Sequence, residues 1–195
     1  MRNTLLVAIV MLFAGFVSAA DTPELEPIFN GKDLSGWKAA DPNLWWKVVD
    51  GVLVGENDEK LKASMLKTEK SYKDVIFETE VRFPDDIDSG IMMRKPEIQF
   101  QIGVSRSLKK DMTCSVYARG KYPGQAQGVD KVLKPNDWNT MRIKAQGDKY
   151  TVWLNGQQVL EYEDPAFKDA APIGLQIHGG VKMKVEFRNM KAKEL

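Results

Sequence analysis

The feature that most constrains the fold is a strict alternation of apolar and polar side chains along Ser89–Ile102. The pattern predicts two strands interrupted at Lys95-Pro96. Successive side chains of a strand point to opposite faces, so each strand has one apolar and one polar face. In the second strand the polar face carries Glu97, Gln99 and Gln101. Such alternation is typical of antiparallel strands that cover a core with one face.

Two further segments, residues 113–118 and 173–178, show the same alternation. Amide, carboxylate, hydroxyl, imidazole and guanidinium groups can all bond to sugar hydroxyls or take part in proton transfer. The polar faces of the three segments therefore predict a surface that binds a ligand. Its candidate residues are Arg94, Glu97, Gln99, Gln101, Tyr117, Gln176 and His178.

Other alternating segments carry mixed charges on their polar faces, as in residues 75–83, 140–145 and 181–188. Long charged side chains of both signs are typical of a solvated sheet. We infer two sheets on one apolar core, one facing water and the other facing a ligand; the alternative is that both faces are merely solvated. Ten or more short strands without an amphipathic helix predict an all-β, concanavalin-like jelly-roll sandwich of two antiparallel sheets.

The first 20 residues have the pattern of a secretory signal peptide. Arg2 gives a positive start, Leu5–Val17 is apolar but short for a membrane span, and Ser18-Ala19-Ala20 supplies small residues for cleavage. We therefore expect a secreted or periplasmic protein, with residues 21–195 forming a single domain. The alternative is an uncleaved membrane anchor; after cleavage no membrane contact is expected.

Charge and cysteine content narrow the class of partner. Removal of residues 1–20 takes away only Arg2, so 28 basic residues become 27, against 27 acidic ones. A net charge near zero disfavours nucleic-acid binding, which requires a clustered basic face. Cys114 is the only cysteine, so no intrachain disulfide can form, and its place on an apolar face predicts a core residue. The oligomeric state is left open.

Two aromatic features are further candidates for ligand contact. Trp45 and Trp46 are adjacent, so in a strand they point to opposite faces, one into the core and one outward. We take Trp46 as the candidate platform for a sugar ring. The long connection Arg119–Pro135 contains Tyr122, which can reach over the polar face as a lid.

Three acidic residues surround Ile87, at positions 85, 86 and 88. Carboxylate oxygens are the ligands that Ca²⁺ prefers. The spacing is not that of a known calcium loop, so a solvated turn is the default prediction. No metal site and no cofactor are predicted, although a divalent metal is left open.

Several segments together resemble the 3-keto-disaccharide hydrolase domain family. The similarity covers essentially the whole chain after residue 20, and six motifs in the right order make it fairly specific. The motifs are Phe29–Trp37, a central strand pair made of Ser89-Gly90-Ile91 with Arg94 and then Gln101-Ile102, Trp138-Asn139, Trp153–Gly156, Ile173–Gly179 and Phe187–Asn189.

The resemblance implies a jelly roll that acts on 3-keto glycosides in bacterial sugar breakdown. The chain also departs from the family pattern. Gln99 occupies a position where the family usually has Glu, and Gly103-Val104 stands where an Asp is usual. Glu97 lies two residues earlier on the same face and is the candidate substitute.

The implied chemistry needs a base near C2, a donor or cation at the C3 ketone oxygen, and an acid at the leaving oxygen. The ketone acidifies the hydrogen at C2, the enolate expels the group at C1, and water then adds. Imidazole transfers protons near neutral pH, so His178 is the candidate proton-transfer group and Arg94 the candidate enolate stabiliser. The alternatives are a structural histidine beside Gly179-Gly180 and an ion pair between Arg94 and Glu97.

The remaining candidates, Gln99, Gln101, Gln176 and Tyr117, are assigned to binding; Tyr117 can stack, supply an acid or be purely structural. Two functions stay open at this point. One is a secreted enzyme that cleaves 3-keto glycosides by elimination and hydration. The other is a non-catalytic carbohydrate-binding jelly roll.

Overall fold

The computed structural model describes residues 24–84 and 86–195, and the predicted signal peptide lies outside these residues. Two antiparallel sheets of eight strands pack on one core, which confirms the all-β jelly-roll prediction. The strands of the described chain are β1 (Glu26–Pro27), β2 (Trp37–Lys38), β3 (Trp46–Val49), β4 (Val52–Glu56), β5 (Ser64–Tyr72), β6 (Val75–Arg82), β7 (Asp88–Met93), β8 (Ile98–Ser105), β9 (Lys110–Asp111), β10 (Val116–Ala118), β11 (Lys121–Gly124), β12 (Asn139–Gln146), β13 (Lys149–Leu154), β14 (Gln157–Glu163), β15 (Ala171–Ile177) and β16 (Lys184–Glu194).

Sheet 1 has the strand order β14-β13-β12-β6-β16-β4-β3, with β1 beside β16. Sheet 2 has the order β11-β10-β8-β7-β15-β5-β2, with β9 beside β8. A single 3₁₀ turn, Val129–Lys131, lies in the described part of the chain. Among residues 24–84 and 86–195, no helix has the length and apolar character needed to cross a membrane.

Two tight hairpins form at an Asp-Gly and an Asn-Gly dipeptide, the commonest sequences for such turns. Asp50 and Gly51 join β3 to β4 with φ of 49° and 81°, and Asn155 and Gly156 join β13 to β14 with φ of 50° and 84°. Positive φ at both central residues defines the type I′ turn, whose twist matches that of the flanking strands. These turns fix the register within sheet 1.

The apolar faces of both sheets meet in a continuous core. Phe77 and Phe187 from sheet 1 and Phe100 from sheet 2 have no exposed surface. Trp46 also belongs to this core, because it lies on the inward face of β3 and its indole N–H donates to Ser64 Oγ at 3.1 Å. Its predicted place on the ligand face is therefore corrected. Cys114 is fully buried as predicted, and burial raises the pKa of its thiol.

The outer face of sheet 1 carries the charged side chains that the alternation predicted. Arg and Glu side chains pair across neighbouring strands. The guanidinium groups of Arg82 and Arg188 also lie 4.7 and 4.0 Å from the Trp138 ring centre. The pairs are Arg142–Glu78 at 2.6 Å, Arg188–Glu80 at 2.5 Å and Arg82–Glu186 at 2.6 Å. Exposed pairs of this kind contribute little to stability, so this face is mainly a solvated one.

Two predicted strands differ in length from the observed ones. The segment predicted at 113–118 is regular only over Val116–Ala118, because Cys114 adopts a left-handed φ of 67°. The segment predicted at 181–188 begins instead at Lys184 and continues to Glu194 past an irregularity after Arg188. Asn189, with φ of 53°, lies in that irregularity.

Arg94 is the largest departure from the predicted ligand face. It follows β7 with a left-handed φ of 65°, which breaks the strand alternation, and its side chain is 1% exposed. Its guanidinium donates to the Lys168 carbonyl at 2.9 Å and to Asp74 Oδ1 at 3.1 Å. Arg94 therefore joins the two sheets, and its ion-pair partner is Asp74, not Glu97.

We expect Asp74→Ala to lower the free energy of unfolding by about 1.5–3 kcal/mol near neutral pH, the range for hydrogen bonds to charged groups. The Gly147 N–H and the Arg94 guanidinium lower the pKa of Asp74 below its ordinary 3.8. This contribution is therefore present above that value and is lost as pH falls through the lowered pKa.

Urea unfolding of the wild type and the variant across the acidic range tests this expectation. The difference between them should shrink at low pH. Asp130→Ala, an exposed acid on the 3₁₀ turn, is the matched control and should change stability little. An Asp74→Ala difference that is the same at acid and neutral pH would contradict the assignment.

Candidate functional site

The outer, polar face of sheet 2 carries a small cavity of about 210 Å³. Pockets for drug-sized ligands are about 300–1,000 Å³, so this cavity suits a ligand the size of one sugar ring. The strands β7, β8, β10 and β15 supply its floor, and loops supply its rim. The lining residues are Asp88, Gln99, Gln101, Ser105, Arg106, Ser107, Tyr117, Tyr122, Gln176 and His178.

Asp88 is the buried acid of the cavity, with 5% of its surface exposed. Its Oδ2 accepts the Arg106 backbone N–H at 3.1 Å, and its Oδ1 accepts the Gln101 Nε2 at 2.9 Å. A carboxylate offers only acceptors. Asp88 therefore requires the nitrogen end of the Gln101 amide to face it.

That requirement passes along a chain of amides. With its nitrogen on Asp88, Gln101 presents Oε1 to its neighbours, and this oxygen accepts Gln99 Nε2 at 2.8 Å. Gln99 Nε2 also lies 3.4 Å from Gln176 Oε1. Because each amide has one donor end and one acceptor end, the orientation of the first fixes the others.

The ends of the amide chain remain available to a ligand. Within the described residues, Gln99 Oε1 and Gln176 Nε2 have no hydrogen-bond partner in the protein. The cluster therefore offers one acceptor and one donor in fixed directions. Such a pair suits neighbouring sugar hydroxyls, each of which can donate and accept.

Gly90 allows Gln99 to lie across the sheet. A Cβ placed on Gly90 would be 2.5 Å from Gln99 Nε2 and 2.6 Å from its Cγ. Gly90 pairs with Gln101 in the register of β7 and β8, so the missing side chain leaves space over the amide chain. The glycine is thus a packing requirement of the site.

Two tyrosines cover one side of the cavity. Tyr117 pairs with Gln99 in the register of β10 and β8, and its ring lies 4.9 Å from that of Tyr122. The Tyr122 hydroxyl donates to Gln101 Oε1 at 3.1 Å, in agreement with its predicted place over the polar face. Burial raises the pKa of Tyr122, so its hydroxyl stays protonated and remains a donor.

His178 lies on the rim, directly after β15, and is half-buried. Its Nδ1 is 2.7 Å from the Gly179 carbonyl oxygen. A carbonyl can only accept, so this contact requires the proton on Nδ1 and leaves the lone pair of the neutral ring on Nε2. No group of the described residues hydrogen-bonds to Nε2, which is therefore the atom of His178 free to take a proton from a ligand.

Arg106 brings the positive charge of the cavity. It follows β8, and its guanidinium is held by the Asp86 carboxylate at 3.0 Å and the Asp86 carbonyl at 3.2 Å. Its Nε is buried and has no hydrogen-bond partner among the described residues. Arg106, and not the predicted Arg94, is the arginine that lines the cavity.

Five of the eight predicted site residues come together in the cavity: Gln99, Gln101, Tyr117, Gln176 and His178. The other three lie elsewhere. Arg94 is buried against Asp74 and Trp46 is in the core, while Glu97 is exposed in the turn between β7 and β8. Glu97 therefore does not supply the carboxylate that the family usually has at the position of Gln99.

The sequence analysis missed Asp88 as a site residue and placed it in a solvated turn. Asp88 lies two residues before Gly90 and four before Met92, on the same face of β7. Extending the alternating pattern of this strand towards its N-terminus would have placed Asp88 on the polar face. Ser105 ends β8, and Arg106 and Ser107 follow it in a turn for which the alternation gave no signal. The turn reaches the cavity because Asp88 accepts the Arg106 backbone N–H.

Asp86 and Asp88, the two acids beside Ile87 that the structure describes, point in different directions. Ile87 is fully buried, so Asp86 turns outward to Arg106 while Asp88 points into the cavity; Asp85 lies outside the described residues. No group of three His, Cys, Asp or Glu side chains suited to a metal ion occurs in residues 24–84 and 86–195.

Comparison with known families decides the assignment. Residues 24–193 match the family described as the 3-keto-alpha-glucoside-1,2-lyase-like domain. The chain belongs to this family. None of the curated protein sequences matches the chain significantly.

Solved structures share the fold at low sequence identity. A proposed glycosyl hydrolase from Parabacteroides distasonis is 23% identical, with 89% of this chain and 100% of that chain covered and a TM-score of 0.67. A β-glucanase from Bacillus licheniformis is 14% identical, with 88% and 97% covered and a TM-score of 0.62. The carbohydrate-binding module CBM66 from Bacillus subtilis is 17% identical, with 82% and 96% covered and a TM-score of 0.53.

Family membership and fold together make this 3-keto-alpha-glucoside-1,2-lyase-like chain a carbohydrate-related jelly-roll protein. Its polar cavity lies on the sheet face that the sequence analysis assigned to a ligand.

We expect Gly90→Ala to displace Gln99 and to lower the free energy of unfolding by about 1–3 kcal/mol, the usual cost of overpacking. The side-chain NH₂ signals of Gln99 and Gln101 should shift in ¹H–¹⁵N NMR spectra. Gly55→Ala is the matched control, because its Cβ would lie 2.6 Å from the Trp46 ring. It should cost similar stability without moving those signals, and unchanged amide signals in Gly90→Ala would contradict the packing argument.

Proposed function

We propose that this protein cleaves 3-keto glycosides, with His178 as the base that removes the C2 proton. The observation that carries the proposal is the anchored imidazole. Nδ1–H is held by the Gly179 carbonyl, and the Nε2 lone pair is free in a cavity lined by sugar-binding amides. A base that is oriented through its other nitrogen is the arrangement that general-base catalysis requires.

The proposed reaction has two steps, elimination of the leaving group and hydration of the double bond. Nε2 takes the C2 proton, the C2–H electrons form the enolate of the C3 ketone, and collapse of the enolate breaks the C1–O bond to the leaving group. The imidazolium formed at Nε2 gives its proton to the leaving oxygen, which restores the neutral base, and the sugar is left with a C1–C2 double bond conjugated to the ketone. Water then adds, with hydroxyl at C1 and hydrogen at C2, so the sum is hydrolysis of the 3-keto glycoside.

The other cavity residues have roles in binding and charge stabilisation. Gln99 Oε1 and Gln176 Nε2 are available to sugar hydroxyls, and Tyr117 is available for stacking. The Arg106 guanidinium would face the charge that develops on the ketone oxygen, where fixed positive charge in a partly dry site is most effective. Arg94, buried between the sheets, has no part in this scheme.

A second candidate function is carbohydrate binding without catalysis. One observation favours it: both oxygens of Asp88 are occupied, so among the described residues the cavity contains no free carboxylate. Glycosidases that use two carboxylates need both at the scissile bond. Elimination through His178 avoids that requirement, and for this reason we prefer the enzyme.

We also propose that the mature chain begins near residue 21 and works outside the cytoplasm on a small carbohydrate. The pattern of residues 1–20 supports export. Sequencing the N-terminus of the protein recovered from its native host would test this. A mature protein that retains residues 1–20 would overturn it.

The test of the activity is release of the leaving group from an aryl 3-keto-glucoside and from 3-keto-trehalose, with and without EDTA. We expect release by the wild type and a loss of about 10²–10⁴-fold in His178→Gln, which keeps hydrogen bonding but cannot act as the base. Lys144→Ala, on the outer face of sheet 1, is the control and should keep full activity.

The outcomes separate the two functions. Release that depends on His178 supports the enzyme, and sensitivity to EDTA would add a metal to it. Binding of the 3-keto sugars by calorimetry without release would overturn the enzyme in favour of a binding module. Equal release by wild type and His178→Gln would overturn His178 as the base.

A further inference from the structure

The segment that holds His178 is fastened by Asn57, which follows β4 of sheet 1. Residues 178–183 connect β15 to β16. Asn57 Nδ2 donates to the His178 carbonyl at 3.1 Å, and Asn57 Oδ1 accepts the Met183 N–H at 2.7 Å. One side chain therefore holds both ends of the segment.

The middle of the segment is also docked on residues 57–63. The Gly180 N–H donates to the Leu61 carbonyl at 2.7 Å. Gly179 packs so closely that a Cβ on it would lie 3.2 Å from the Ala63 nitrogen. The His178 N–H points to the Met183 sulfur at 3.3 Å, a weak acceptor that leaves the amide group of Asn57 as the strong attachment at that end.

The Asn57 contact bears directly on the imidazole. The His178 carbonyl belongs to the peptide that leads into Gly179, and the next carbonyl, that of Gly179, accepts the Nδ1–H at 2.7 Å. The peptide between His178 and Gly179 links the imidazole-bearing residue to its acceptor; Asn57 fixes that peptide, and the Gly180 N–H fixes the next one on the Leu61 carbonyl. If the first peptide rotates, the ring moves relative to the Gly179 carbonyl, so the Nδ1–H loses its partner and the ring can change tautomer.

We propose that Asn57 is a positioning residue for His178, which keeps the proton on Nδ1 and the lone pair on Nε2. Asn57 does not line the cavity, so it acts through the backbone of residues 178–183. Its catalytic consequence rests on the proposed function, whereas its effect on the imidazole does not. The hydrogen bond that one ring nitrogen of a histidine makes sets which nitrogen carries the proton.

The test uses the fact that His178 is the only histidine in the chain. In ¹⁵N NMR spectra of the full mature protein, prepared without a histidine tag, every imidazole signal belongs to it. Above the pH range in which imidazole titrates, the wild type should show Nδ1–H as its main tautomer. Asn57→Ala should shift the signals towards the Nε2–H form that free histidine favours.

Asn57→Asp separates the two attachments. A carboxylate still accepts the Met183 N–H but cannot donate to the His178 carbonyl, so this variant should shift the tautomer as Asn57→Ala does. If Asn57→Ala does not fold, Asn57→Asp alone tests the proposal. Retention of Nδ1–H in either folded variant would overturn the proposal.

The matched control is Asn139→Ala. Asn139 holds the Lys134 N–H and carbonyl, both at 2.8 Å, in the loop before β12. Its loss should lower the melting temperature at least as much as the loss of Asn57 while His178 keeps Nδ1–H. A tautomer shift in Asn139→Ala as well would show a general loss of stability and overturn a specific role for Asn57.

Kinetics provide the second readout. If the wild type cleaves 3-keto glycosides, Asn57→Asp should lower kcat by about tenfold or more with a small change in KM, because misplacement of the base impairs the chemical step. An unchanged kcat would overturn the positioning role. If the wild type cleaves nothing, the proposed function fails, and the tautomer measurement alone decides the role of Asn57.

Discussion

The hydrogen bond from the Gln101 amide to the Asp88 carboxylate is the interaction on which the candidate site depends. A buried carboxylate without partners would cost several kcal/mol, so Asp88 must be satisfied, and it accepts from Gln101 and from the Arg106 backbone. The first bond fixes the direction of the amide chain, and the second brings the Arg106 turn to the cavity. The orientation of the Gln99 and Gln176 amides is then determined, with Gln99 Oε1 and Gln176 Nε2 left available to a ligand. Networks of this kind are satisfied as a whole or fail as a whole.

The jelly roll divides its tasks between its two sheets. Sheet 1 covers the core and pairs its outward charges, whereas sheet 2 keeps its outward face for amides. The two ionisable side chains at the rim of the cavity are not on strands: His178 and Arg106 lie on the connections that follow β15 and β8. In the proposed function, the sheet face holds the sugar, and the loops fastened to it bring the reacting groups. Asn57 performs this fastening for His178, as Asp88 does for Arg106.

Alternation of apolar and polar residues was enough to predict the class of fold and much of the site. It placed Gln99, Gln101 and Gln176 on one face because β8 and β15 are regular, and this regularity is a local property. It failed at Arg94, where a left-handed residue ends the alternation, and at Trp46, where adjacent tryptophans gave no indication of which one is buried. The contact between Asn57 and His178 spans 121 positions, and only the packing of the two sheets creates it.

Binding of a 3-keto glucoside to wild type and to Asp88→Asn, compared by calorimetry, tests the central claim most directly. An asparagine would keep its oxygen on the Arg106 N–H and turn its NH₂ to Gln101, so Gln101 and the amides beyond it would have to reverse while the packing volume is kept. A hydrogen bond to a charged group contributes about 1.5–3 kcal/mol, so the account predicts a Kd that rises by about tenfold or more in the folded variant. Equal affinity in the two folded proteins would contradict the claim that Asp88 orients the site.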